Sequence, residues 1–141
     1  MDCSSLKKLI EYKDGKLSVL YASPKCLRDR CYLIYMIVFG DGTYYIGKSN
    51  VAFQRLDFHC KTKLGQVRQN FIPKLALAFS INNSFSIYAL SNVKSKEEPD
   101  ENDFLSIFKP SLNTIHCSKC KPYGNGRTKA IQMYNQIFFN S

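Results

Sequence analysis

Residues Tyr32 to Phe39 read YLIYMIVF, an unbroken run of apolar, aromatic and β-branched side chains closed by Gly40-Asp41-Gly42. A run this short, rich in strand-forming residues and ended by a turn signal, predicts a buried β-strand rather than a helix. Tyr44 to Gly47 then pair back against it as the second strand of a hairpin. A strand apolar on successive residues has both faces to cover, so the rest of the chain must supply the layers that cover it.

The segments that follow have helical and strand character in alternation. Ser49 or Asn50 is placed to cap a helix running to about Lys63, with Leu56, His59 and Cys60 sharing a face with Ala52 or Phe53. Pro73 fits the first turn of a second helix to Ser80, and Ser84 to Leu90 (SFSIYAL) suits a third strand. Pro99 fits the first turn of a helix ending at about Phe108, with Phe104, Leu105 and Phe108 as its stripe and Pro110 as its stop. A last helix covers about Arg127 to Phe138. Ahead of all this, Leu9–Tyr12 and Leu17–Tyr21 flank Lys13-Asp14-Gly15-Lys16 as a small N-terminal hairpin. The expected class is α+β: a small, mostly antiparallel three-stranded sheet flanked by helices. Residues 1–30 form an N-terminal extension, 31–114 the central module and 115–141 a basic C-terminal extension.

Charge narrows the partner. The chain of 141 residues carries 20 Lys and Arg against 11 Asp and Glu, a formal charge of +9 with pI near 9.3. That excess attracts polyanions, of which nucleic acid is the commonest. The cations cluster: Lys48, Arg55, Lys61, Lys63, Arg68 and Lys74 lie between Tyr44 and Leu75 with Asp57 the one acid, and Lys109 to Lys129 contains bases only. In contrast, Glu97, Glu98, Asp100, Glu101 and Asp103 crowd into one short stretch. Acids favour a helix start through its dipole, but carboxylates this close also invite a cation. No apolar run reaches the ~18 residues of a membrane span, and the N-terminus lacks a signal-peptide core, so an intracellular protein with no membrane partner is expected. In that compartment the six cysteines are thiols or metal ligands rather than a disulfide frame. Cys117-Ser-Lys-Cys120 has the spacing of half a structural Zn²⁺ site, with Cys26, Cys31 and Cys60 as partners from elsewhere; reduced thiols are the alternative.

Polar residues at the hairpin exit form a pattern. Tyr32-Leu-Ile-Tyr35, then after nine residues Tyr45-Ile-Gly47, is followed directly by Lys48; Arg55 lies eight residues beyond Gly47 and His59 one helical turn later. Glu101 stands nine residues before Pro110 and twelve before Asn113. These elements, in this order over about residues 31 to 114, resemble the GIY-YIG nuclease family, whose paired motifs lie on adjacent strands and whose closing motif is a helix-borne glutamate followed by Pro-x-x-Asn. One position departs from the pattern, since Leu33 stands where the family has its first glycine.

The resemblance implies a divalent-metal-dependent DNA endonuclease using Mg²⁺ (or Mn²⁺). Glu101 would be the metal ligand, and a tyrosine would activate the water, with Tyr35 the first choice and Tyr45 holding the water or a phosphate oxygen. The residue chemistry agrees. Phosphodiester hydrolysis needs a water, a proton acceptor and positive charge facing the phosphorus. A phenol of ordinary pKa ~10 is a poor base unless cations favour its phenolate, and Lys48 and Arg55 supply such a field. Arg55 can grip a phosphate oxygen pair bidentately, and His59 shares its helix face, placed to relay a proton or meet the leaving group. Lys61, Lys63, Arg68, Lys119, Lys121 and Arg127 are the further candidates for nucleic-acid contact, with DNA, duplex or branched, as the expected partner and RNA open. A non-catalytic nucleic-acid-binding module of the same fold is the alternative reading.

Overall fold

The computed structural model describes residues 1–21, 32–68, 72–93, 98–113 and 126–139. Five strands and four helices follow in the order β1 (Lys7–Lys13), β2 (Lys16–Val19), β3 (Tyr32–Phe39), β4 (Tyr44–Ser49), α1 (Ala52–Lys63), α2 (Pro73–Ile81), β5 (Phe85–Val93), α3 (Glu101–Phe108) and α4 (Gly126–Phe138). The expected α+β class is present. Its sheet, however, has five strands rather than three, in the order β2-β1-β5-β3-β4 with every neighbouring pair antiparallel.

The difference comes from the N-terminal hairpin. Asp14 and Gly15 both take positive φ, 54° and 75°, as the tight turn between Lys13 and Lys16 requires. The hairpin then extends the central sheet instead of standing apart, with Lys7 opposite Ala89 and Tyr12 opposite Phe85. Without it, β5 would expose a row of unpaired backbone groups.

Because β3 is apolar on every residue, each face of the sheet has its own helical cover. Leu33, Tyr35, Ile37 and Phe39 point to the α1–α2 face and pack with Leu56, Cys60, Leu75 and Phe79. Ile34 and Met36 point to the α3–α4 face and pack with Phe104, Phe108, Ala130 and Ile137. The chain start joins the second layer: Cys3 and Leu6 pack there, and the Asp2 N–H donates to the Ile137 carbonyl at 2.6 Å.

Two helix starts differ from expectation. Neither Ser49 nor Asn50 caps α1; Val51 occupies that position without a side-chain cap bond, and the Ser49 hydroxyl instead accepts the Val51 N–H at 3.0 Å. Pro99 precedes α3, whose N-cap is Asp100 in a reciprocal capping box with Asp103. No helix among the described residues is long and apolar enough to cross a membrane. The CxxC residues Cys117 and Cys120, the bases Lys119 and Lys121, and Cys26 and Cys31 lie outside the described residues.

Candidate active site

Strand β4 alternates its side chains between the two layers, and this separates the adjacent tyrosines. Tyr44 packs on the α3–α4 face, where its hydroxyl donates to the Phe108 carbonyl at 2.6 Å. Tyr45 turns to the other face, with its ring centroid 6.5 Å from Tyr35 and 6.3 Å from His59. One phenol of the doublet fastens strand to helix, and the other joins the polar cluster.

Gly47 lies opposite Tyr35 in the β3–β4 register. A Cβ at this position would land on Cζ and Oη of Tyr35. The absent side chain is therefore what lets the Tyr35 ring lie across β4. The Tyr35 hydroxyl is 2.8 Å from Nε2 of His59, which α1 delivers one turn after Arg55.

Burial decides the roles of these two groups. Tyr35 and His59 are each 1% exposed, whereas Tyr45 is half-buried and Arg55 is exposed. Burial drives the Tyr35 phenol well above its ordinary value; Tyr45 adds to the rise and the Arg55 guanidinium opposes it. Burial also lowers His59 to about 3, with Arg55 pushing the same way, so the imidazole is neutral near pH 7. An imidazole this enclosed does not meet a leaving group, and the expected place of His59 beside the substrate is corrected to a place behind Tyr35. By the same measure Tyr45, not Tyr35, is the phenol that solvent reaches. Its pKa too is raised, by burial first and then by Glu101, against the pull of Arg55.

Glu101 arrives from the opposite layer, around the edge strand. Lys48, pointing to the α3–α4 face, pairs with Asp100 at 2.9 Å. Asp100 also accepts the Glu101 N–H at 2.7 Å. The first turn of α3 is thereby tied to the end of β4, and the Glu101 carboxylate bears electrostatically on both phenols, as Arg55 does. Burial raises the Glu101 pKa; Lys48 opposes the rise and Asp100 adds to it. Tyr35, Tyr45, Lys48, Arg55, His59 and Glu101 thus gather from β3, β4, α1 and α3 at one sheet edge.

Asn113 holds that edge. Its amide accepts the Ile46 N–H at 3.0 Å and donates to the Ile46 carbonyl at 2.8 Å, so a side chain takes the place of a missing neighbouring strand between Tyr45 and Gly47. Sequence reasoning used Asn113 and Gly47 as landmarks of a pattern and passed over their mechanical roles. It counted Asp100 among acids that favour a helix start but, with Pro99 placed in the first turn, did not single it out as the N-cap, for which an acid directly ahead of a helix-starting Glu was the available signal.

The remaining bases disperse. Lys61 forms an exposed i,i+4 pair with Asp57 at 2.9 Å, and Arg68 is exposed in the loop after α1. Lys63 departs from the expected nucleic-acid contact: its ammonium donates to the carbonyls of Phe79 at 2.8 Å and Asn82 at 2.6 Å, closing the C-terminal end of α2. Arg127 is half-buried with Nη1 3.4 Å from the Ser106 hydroxyl, a contact between α4 and α3.

Among the described residues no group of three or more His, Cys, Asp or Glu side chains is placed to hold a metal. A hydrated Mg²⁺ asks for less, one or two carboxylate oxygens beside substrate phosphate, and the half-buried Glu101 carboxylate fits that demand. Comparison of the chain with family models, with curated proteins and with solved structures returned no significant match.

Proposed function

We propose that this protein is a divalent-metal-dependent DNA endonuclease of the GIY-YIG type. The observation that carries the reading is the meeting of four groups from separate segments at one sheet edge: the rings of Tyr35 and Tyr45 lie 6.5 Å apart, and the Arg55 guanidinium and the Glu101 carboxylate bear on both phenols. Phosphodiester hydrolysis uses each of them.

In this reading Arg55 grips the non-bridging oxygens of the scissile phosphate and stabilises charge gained in the transition state. Tyr45, the solvent-reaching phenol, would orient the attacking water and, once it has lost its own proton to solvent as the phenolate that the Arg55 guanidinium favours, accept the water's proton. Tyr35, fixed by His59 behind it, supports Tyr45 from the interior. Lys48 restrains Asp100 and adds positive charge beside Glu101. Glu101 would hold the divalent ion, which when bound supplies charge to stabilise the phosphate and lowers the pKa of nearby water and phenol. The exposed bases Lys61 and Arg68, on the helix that carries Arg55 and just after it, would track the phosphate backbone without reading its sequence.

The test is supercoiled plasmid incubated with the protein and Mg²⁺ or Mn²⁺, against an EDTA control, with branched, single-stranded and RNA substrates in parallel. Nicking or linearisation that needs the divalent ion and vanishes in Glu101→Ala supports the nuclease. Binding without cleavage in every divalent condition would leave a binding module of the same fold.

A further inference from the structure

Gly126 opens α4 with no backbone reason to be glycine. Its φ lies outside the left-handed region that Gly15, Gly42 and Gly65 occupy, and glycine weakens a helix relative to an ordinary side chain. Space is the reason. The residue is buried, and a Cβ there would stand 2.8 Å from the Glu98 carbonyl oxygen and 3.1 Å from Oδ2 of Asp103. A side chain does not sit that close to a backbone oxygen, so the start of α4 approaches the turn ahead of α3 as only glycine permits.

The turn that it touches is the one that leads into Glu101. Asp103 accepts the Asp100 N–H at 3.0 Å, Asp100 accepts the Glu101 N–H at 2.7 Å, and Asp100 pairs with Lys48 at 2.9 Å. The Asp103 carboxylate thus lies beside two helix starts, those of α3 and α4, and both dipoles favour its charge there. Of the two sides of the contact α4 is the firmer: Ala130 and Ile137 anchor it in the core at 0% and 1% exposure, whereas Glu98, Asp100 and Glu101 are only half-buried. A side chain added at Gly126 would therefore displace the turn and Glu101 with it. We infer that the start of α4 is the back wall of the Glu101 site, with Gly126 and Asp103 as positioning residues that fix where the Glu101 carboxylate stands.

The contact gives the C-terminal extension a task other than gripping nucleic acid. Its consequence for cleavage rests on the nuclease reading, in which Glu101 holds the divalent ion; the coupling of α4 to the α3 cap does not. A metal ligand held by hydrogen bonds behind it loses roughly ten- to a hundredfold in affinity when that support goes.

The experiment is Gly126→Ala in the full-length protein, read by amide hydrogen exchange and by plasmid cleavage across a Mg²⁺ series. Exchange at the Asp100 and Glu101 amides should quicken about tenfold, as for a weakened hydrogen bond to a charged group, with the amides of β3 and β5 unchanged. Half-maximal cleavage should need about tenfold more Mg²⁺, while the rate at saturating Mg²⁺ recovers and the KM for plasmid stays put. A general loss of structure would instead lower the saturated rate without moving the metal requirement. Gln132→Gly, exposed on the same helix, weakens α4 away from the contact and should keep the parent's metal requirement. Unchanged exchange in Gly126→Ala, or an equal metal shift in Gln132→Gly, overturns the inference. Where Gly126→Ala does not fold, native-state exchange of the parent decides: the Asp100 amide should lose protection at the same denaturant concentration as the Ala130 and Ile131 amides, and an Asp100 amide still protected after α4 has opened overturns the inference. A protein with the expected exchange that cuts nothing in any divalent condition refutes the nuclease reading alone, and an active nuclease whose metal requirement ignores Gly126→Ala refutes this inference alone.

Discussion

The two layers around one sheet are both largely apolar but differ in one buried pair. On the α3–α4 face the buried cluster is mainly aromatic and aliphatic: Phe108 meets Phe104 at 5.5 Å, Tyr134 at 5.3 Å and Phe138 at 5.8 Å between ring centroids, each edge-to-face. On the α1–α2 face the same strand buries a phenol against an imidazole, one of whose ring nitrogens has no hydrogen-bond partner among the described residues. Polar groups in an interior cost stability unless every one is satisfied. The ring cluster around Phe108 is therefore expected to contribute stability, and the polar pair to cost some of it, as the proposed nuclease site would require.

The sharpest way to break that contrast is Phe108→Ala. It should destabilise the protein by about 3–5 kcal/mol in denaturant titrations, since it leaves a cavity among several rings; a loss below ~1 kcal/mol would show that the apolar layer is not the stabilising one.

Next in size is Glu101→Ala. Cleavage should fall on the order of a hundredfold or more with nucleic-acid affinity nearly unchanged. Its stability should stay the same or rise slightly, because burial raises the Glu101 pKa and a carboxylate so disfavoured detracts from folding at neutral pH. A large loss of stability would move Glu101 from the site to the scaffold.

Smaller effects should separate the buried pair. His59→Leu alone leaves the Tyr35 hydroxyl without its partner and should cost about 1–3 kcal/mol; adding Tyr35→Phe removes the stranded group and should bring stability back to within about 1 kcal/mol of the parent. Non-additivity of this sign in thermal or chemical melts is the measurement, and simple addition of two losses would contradict it.

The last test is in pH, where the effect is confined to an acid window. His59 has its folded-state pKa lowered to about 3, below an ordinary value of ~6.5. Between those values the unfolded chain binds a proton that the folded chain refuses. The contribution is therefore fully present above ~6.5 and is lost as pH falls toward 3, at up to about 1.4 kcal/mol per pH unit. His59→Leu should flatten the stability profile across that acid window, and a profile unchanged from the parent would count against a neutral buried imidazole.

Much of this was legible in the chain, for local reasons. The run from Tyr32 to Phe39 with its glycine turn could hardly be anything but a buried strand, and Lys13-Asp-Gly-Lys16 declares a two-residue hairpin loop. Pro73 and the stripe of Phe104, Leu105 and Phe108 mark α2 and α3 to within a residue or two at most ends. The union of the hairpin with β5 was not legible, because pairing of Tyr12 with Phe85 is a tertiary event that no local pattern encodes. Lys63 shows the same limit: a lysine in a basic stretch reads as a phosphate contact, and its actual carbonyl partners come from α2 and the residue after it. The gathering of Tyr35, Tyr45, Arg55 and Glu101 was readable as a spacing. Which phenol faces solvent was not, since β3 and β4 offer both rings to the same face and the cover over Tyr35 comes from α1.

The placement of β1 has a further consequence, in time rather than in space. As the chain leaves the ribosome, β1 emerges well before its partner β5, which appears only after β3, β4, α1 and α2 have been made. The sheet cannot close until then, so folding waits on a distant meeting and is expected to be slow for a chain of this size. Meanwhile Leu9 and Ile10, destined for the interior, stand open to any neighbouring chain with an unpaired strand. A nascent chain of this kind is most prone to aggregate before its second half has been synthesised.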